Sequence, residues 1–350
     1  MLGHQRGTHV TLGELMKYFR PRKLTPRSSI DGRSHIPGVP DELTIEVDPD
    51  GSPVTMQPEE WFVCFVPGLQ KQWWHRFTDP RHKHVFALRM VSDDRWILFE
   101  PWWTRIMNTT LTLDEAAKFL RWGGVGSVLR IKESIPGSGS QTRGWANCAV
   151  LVSLLLGRSY WTWTPHGLYQ ALIREPETEH VDVAGFLEKL LHDIANKQAS
   201  RVVTDRDIYR QRTLIDALYT VGIRLMRITT SPLGLGLHRL AASEAFHFPT
   251  ASAAFFEHGP NRVIEELAFI FQRAQSKGEV SDRWDAKKLA RHFLLMLRGN
   301  LHLEIMMGCR DAPDEVEIER RVLSAVDLLL YGMQEREQSS HPIPRDSAAQ

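Results

Sequence analysis

The sequence predicts two domains of different class. The first is α+β, with a small antiparallel sheet and accompanying helices; the second is an all-α helical bundle. Three observations carry this. The chain has 350 residues, more than one core usually serves. Ten of its eleven tryptophans lie between Trp61 and Trp163, and thirteen of its nineteen prolines lie at or before Pro176. Beyond Pro176 the composition turns to Leu, Ala, Glu and Arg with helical periodicity. The expected boundaries are an irregular arm over 1–59, the α+β domain over 60–176, the bundle over 181–333 and a disordered polar tail over 334–350.

In the first half, residues 20–60 are rich in Pro, Gly, Ser and Asp, with a short strand expected at 43–47. The apolar run Trp61 to Val66, stopped by Pro67-Gly68, reads as a buried strand. His84 to Met90 and Trp96 to Phe99 flank a polar turn, so a hairpin is expected. Thr112 and Glu115 form a capping-box pattern at the head of a helix over 113–122, with Gly123-Gly124 as its stop. A strand over 125–132 follows, then a loop, an apolar helix over 147–156, and a helix over 164–173 with Thr164 as cap and Pro165 at its first position. In the second half six helices are expected, over 183–200, 209–229, 232–246, 250–276, 285–308 and 313–333.

Lys+Arg 43 against Asp+Glu 42 excludes a chain that is basic throughout. Three cysteines make no disulfide framework and match no zinc spacing, so a reducing compartment follows. No apolar run reaches the length of a membrane span, and the first residues lack a secretory pattern. The expected location is the cytoplasm, with no membrane partner, no cofactor and no metal.

One site candidate is Cys148, at the first turn of an apolar helix. The partial positive charge and free N–H groups there favour a thiolate and could hold an oxyanion. His84 is the candidate base, Glu100 its orienter, and Asn147 a polar helper beside the thiol. The competing reading makes Cys148 a small buried residue. Cys64, inside a strand, reads as structural. Trp73, Trp74, Trp102, Trp103, Trp161 and Trp163 lie among basic residues; they are read as domain core rather than a base-stacking surface.

The second half offers an apolar stripe of Leu289, Phe293, Met296, Leu297 and Leu301, and another of Val322, Val326, Leu329 and Leu330. Phe293, Leu297, Leu301, Val322, Val326 and Leu329 are the expected dimer interface. Leu218, Ile223, Met226, Phe246, Phe255 and Phe269 are the expected lining of a ligand pocket, against the alternative of ordinary core. Glu244, His247 and His258 are candidate metal or ligand contacts without a fixed geometry, and His302 and Glu304 cannot share a helix face.

Two resemblances follow from these residues. The series Glu244-Ala-Phe246-His-Phe248-Pro249, Gly259-Pro260 and Leu297-Arg298-Gly299-Asn300-Leu301-His302-Leu303 resembles the C-terminal domain of TetR/AcrR-family transcriptional regulators of the AefR-like type. That resemblance implies a helical bundle over 181–333, dimerisation through the last two long helices, and a small apolar effector. The order of a histidine opening a hairpin and a later Asn147-Cys148 more weakly resembles the circularly permuted papain-like fold of the NlpC/P60-like group, over 60–175. That one implies thiol hydrolase or acyltransferase chemistry. The place of the family's DNA reader holds the Trp-rich segment, with no recognisable helix-turn-helix, which puts direct DNA binding in doubt. The leading expectation is a regulator-like homodimer. A cysteine hydrolase and a non-catalytic fusion or interaction protein are the alternatives.

Overall fold

The structure is a computed structural model. It describes residues 54–68, 78–102, 105–135, 147–158, 160–203, 211, 213–246 and 249–333, the last three by backbone alone. The expected strand at 43–47, the arm up to residue 53 and the tail lie outside the described residues, as do Trp73, Trp74, Trp103 and His247.

Six strands form one sheet in the order β4-β3-β2-β1-β5-β6. They are β1 (Glu60–Val66), β2 (His84–Ser92), β3 (Arg95–Pro101), β4 (Ile106–Leu111), β5 (Ser127–Lys132) and β6 (Glu179–His180). β1 is buried at every residue from Trp61 to Val66. A strand covered on both faces needs apolar side chains at consecutive positions, which explains its unbroken WFVCFV run. β2 and β3 form the expected hairpin. β4 has no counterpart in the sequence reading, because Ile106-Met-Asn-Thr-Thr-Leu111 carries neither an apolar run nor a clean alternation; its residues are mostly exposed.

The described chain divides into two compact units that are not consecutive in sequence. One holds residues up to Ala87, then Glu100–Ile106 and Leu129–Glu179. It contains β1, α2 (Cys148–Leu155) and α3 (Pro165–Leu172). Val150 and Val152 of α2 and Leu168 and Leu172 of α3 are buried, and Tyr169 meets Phe65 edge-on at 5.4 Å. Both helices start as their sequences dictate. Asn147 Oδ1 accepts the Val150 N–H at 3.0 Å, and Thr164 Oγ1 accepts the Gly167 N–H at 3.0 Å ahead of Pro165.

The other unit holds Leu88–Phe99, Met107–Val128 and His180 onward. Its helices are α1 (Leu113–Val125), α4 (Val183–Val203), α5 (Leu214–Thr230), α6 (Pro232–Glu244), α7 (Pro249–Phe256), α8 (Arg262–Ser276), α9 (Ala286–Arg298), α10 (Leu301–Met306) and α11 (Glu315–Met333). The Thr112 N–H donates to Glu115 Oε2 at 2.9 Å, completing that half of the capping box. The Gly pair does not end α1, which runs to Val125. Two other expected helices are split. Residues 250–276 become α7 and α8, joined by a wide turn over Glu257–Asn261 that contains Pro260. Residues 285–308 break at Gly299, whose φ of 46° only glycine adopts readily.

The bundle core gathers Leu218, Val221, Leu267, Phe271, Phe293, Leu297 and Val322, all fully buried. Each such side chain removed from water contributes on the order of 1.5–3 kcal/mol. α5 and α11 approach closely at Gly222, where an added Cβ would stand 2.7 Å from Val322 Cγ1.

Candidate functional site

In the first unit, β2 places His84 at its start and β3 places Glu100 near its end. Glu100 is 1% exposed, and its Oε1 lies 3.4 Å from His84 Nε2. The Cys148 thiol at the head of α2 also acts on this imidazole. Burial alone would lower the His84 pKa; the influence of Cys148 and Glu100 outweighs it, and the ring is held up at about 9. Asn147 is occupied structurally: its Oδ1 caps α2 and its Nδ2 donates to the Trp163 carbonyl at 2.8 Å. Thiol, imidazole and carboxylate are therefore brought together from three elements. Cys64 is fully buried, and burial pushes its thiol far up, as a structural cysteine requires.

Three residues that sequence reasoning did not join also converge in this unit. His82 Nδ1 and His166 Nδ1 stand 3.0 Å apart, and Asp79 Oδ2 lies 3.6 Å from His166 Nδ1. His82 is fully buried, its ring tilted against those of Tyr169 and Phe65. His82 draws notice in the sequence only as a neighbour of His84, and nothing local marks His166, whose partners lie more than eighty residues upstream. Two of the tryptophans expected as core depart from it: Trp161 is 77% exposed and Trp163 about half exposed, the two meeting edge-on at 5.8 Å.

In the second unit a cavity of about 50 Å³ opens among α4, α5, α6, the turn over Glu257–Asn261, α8 and the end of α9. Its wall is apolar apart from Gln198, Thr229, His238 and Arg298. Burial lowers the Arg298 pKa, and its Nε has no hydrogen-bond partner among the described residues. His238 Nδ1 lies 2.8 Å from the Gly234 carbonyl, and its ring meets His302 at 4.4 Å. Nε2 of both histidines is buried and unsatisfied among the described residues. Three orphaned polar nitrogens thus cluster in and beside one apolar cavity. Burial, with Arg298 and His302 nearby, holds His238 at about 4; burial and then Arg298 hold His302 at about 4. Glu244, one of the candidate metal or ligand contacts, is fully buried and paired to Arg121 at 3.0 Å.

The helices α5 to α11 can be compared with known families. Residues 216–332 match the AefR-like transcriptional repressor C-terminal domain. The match spans about a third of the chain and begins inside α5. Among solved structures, a TetR-family transcriptional regulator from Mesorhizobium loti is similar at 19% identity, over 63% of this chain and 94% of its own, with a TM-score of 0.41. The flavonoid-responsive regulator FrrA is similar at 20% identity, over 53% of this chain and 85% of its own, with a TM-score of 0.35. A TetR-family regulator from Rhodococcus sp. is similar at 17% identity, over 52% and 86%, with a TM-score of 0.34. No curated protein matches the chain.

Within the matched segment the expected pocket residues separate. Phe255 lines the cavity, while Leu218, Ile223 and Met226 are buried in the bundle core. Phe246 is 94% exposed and Phe269 52% exposed, so neither lines the cavity. Phe246 falls just past the end of α6, where the helical face that buries Leu240 no longer continues. Phe269 lies between the buried stripe positions Ala268 and Ile270 of α8. The expected dimer residues lie inside the chain. Phe293, Leu297, Leu301, Val322, Val326 and Leu329 are all buried within a single chain, because α5, α9 and α11 use those stripes against one another. Among the described residues, the large apolar side chains left exposed on α9 and α11 are Leu295, Val316, Leu323 and Leu328.

Proposed function

We propose that this chain is a transcription-regulator-type sensor that works as a homodimer, with its AefR-like domain binding a small effector that has an apolar body and an anionic head. The observation that carries this is Arg298, a cation held in an apolar cavity with an unsatisfied Nε and no carboxylate beside it among the described residues. A buried charge without a partner is costly, and a ligand carboxylate would supply both the charge and the acceptor. The existing volume admits only a few waters, so the helices must part for a larger effector. The test is a thermal-shift screen of small aromatic and aliphatic carboxylates beside their neutral amides. Carboxylates should raise the melting temperature of the parent and not of Arg298→Gln. Amides that stabilise equally well, or stabilisation unchanged in Arg298→Gln, would reject the anionic class.

A second reading rests on its own observation, the convergence of Cys148, His84 and Glu100. This geometry suits acyl transfer. The Cys148 sulfur would bond to an ester or amide carbon. The bond to the leaving group would break, with the proton passing from His84 to that group. Water deprotonated by His84 would then release the acid. Peptide-resolved labelling with p-nitrophenyl acetate tests it. Acylation should concentrate on Cys148 and fall roughly 100-fold in His84→Gln. Labelling confined to the exposed Cys309 would reject it.

A further inference from the structure

We propose that Asp79, His82 and His166 form a binding site for a divalent transition-metal ion of the zinc type, independent of the effector cavity. Three donor atoms from two separate parts of the chain converge: Nδ1 of each histidine and a carboxylate oxygen, all within 4.8 Å of one another. Two donors at about 2.0–2.1 Å from a common zinc stand about 3.3 Å apart at a tetrahedral angle. The separations of 3.0 and 3.6 Å bracket that value. Imidazole with carboxylate is a borderline donor set, which suits zinc rather than magnesium or calcium.

The surroundings hold the donors in place. The His82 N–H donates to the Asp79 carbonyl at 3.2 Å, so a tight turn presents both side chains in the same direction. Asp79 Oδ1 accepts the Arg81 N–H at 2.8 Å, which leaves Oδ2 towards His166. Tyr169 lies against the His82 ring at 4.3 Å between centroids, and the capped start of α3 fixes His166. His82 closes the inner side, whereas the side chains of His166 and Asp79 remain 35% and 22% exposed. Three protein ligands with one wet side leave a fourth position for water, the pattern of an open rather than a closed site. An ion there would clip the turn leading into β2 to α3.

The competing account of the short nitrogen–nitrogen distance is a plain hydrogen bond between two neutral imidazoles of opposite tautomer. Zinc titration of the full-length, chelator-stripped protein against a chromophoric competitor separates the two, with His166→Gln and Asp79→Asn alongside. His82 stays unchanged, because its burial would turn the variant into a folding test. One zinc per chain should bind the parent, and each variant should weaken it by at least about tenfold. Zinc should also raise the melting temperature of the parent and not of His166→Gln. Absence of binding, or binding equal in parent and both variants, would overturn the site; the latter would place the ion elsewhere, for instance at the His192–His258 pair.

Discussion

His238 shows what one buried side chain does to the pH dependence of the molecule. Its folded pKa is depressed to about 4 from an ordinary 6.5. Below 6.5 the unfolded chain takes up a proton that the folded one refuses. Its contribution to stability is therefore complete above pH 6.5 and is lost as the pH falls towards 4. Arg298 and His302 face the ring and deepen the effect, and the Gly234 carbonyl opposes it. The expected loss from this group between pH 7.5 and pH 5 is about 2 kcal/mol. Urea unfolding at the two pH values should show it, and His238→Gln should flatten the difference. An equal pH dependence in the variant would refute the assignment. Sequence marked Arg298 only as one member of the Leu297–Leu303 series, and His238 not at all. A histidine or arginine in a helical stripe looks like any other, and only the fold shows that no carboxylate among the described residues stands opposite. Cys148, His84 and Glu100 drew attention in the sequence because each sits at an element boundary that local composition already reveals. His166 was not, because its partners come from the far side of the chain.

At the scale of elements, the legible features were those set by neighbours in sequence: the buried β1, the hairpin, and the starts of α1, α2 and α3. The illegible ones were interruptions. The break between α9 and α10 follows from Gly299 together with Arg321, whose guanidinium lies 24 residues from its target. Arg321 Nε donates to the Leu297 carbonyl at 2.7 Å and Nη2 to the Arg298 carbonyl at 3.3 Å. A cation on the last carbonyls of a helix satisfies orphan acceptors and opposes the negative end of the dipole. No local pattern announces such a cap. Arg321→Met should cost about 1–2 kcal/mol in urea unfolding. It should also speed amide exchange in the last turn of α9 more than in α8. Since that turn carries Arg298, the variant should weaken binding of any effector held there without touching the cavity wall. Unchanged exchange in α9 would show that the cap is dispensable.

At the scale of the whole molecule, the two-class composition was readable but the partition of apolar surface was not. Periodicity gave each of the last two expected helices one apolar stripe, and it could not say whether that stripe faces its own chain or a second copy. The structure assigns Phe293, Leu297, Val322 and Val326 to the internal core. What remains for self-association is Leu295 on α9 with Val316, Leu323 and Leu328 on α11, all at least half exposed. Val316 and Leu323 are seven residues apart, two turns along one face, so they can form a seam when a second copy of α11 lies alongside. Isolated exposed leucines are common on monomers, so exposure alone does not decide the matter. Light scattering during gel filtration decides it: the full chain should run at twice 40.1 kDa. Leu323→Glu should shift it towards the monomer, because two carboxylates would face each other across the two-fold axis in a desolvated seam. The substitution leaves the core intact, since Leu323 is half exposed while its neighbour Val322 fills the interior, so the monomer should keep its helical circular dichroism. A dimer that persists in Leu323→Glu would move the interface off this face of α11.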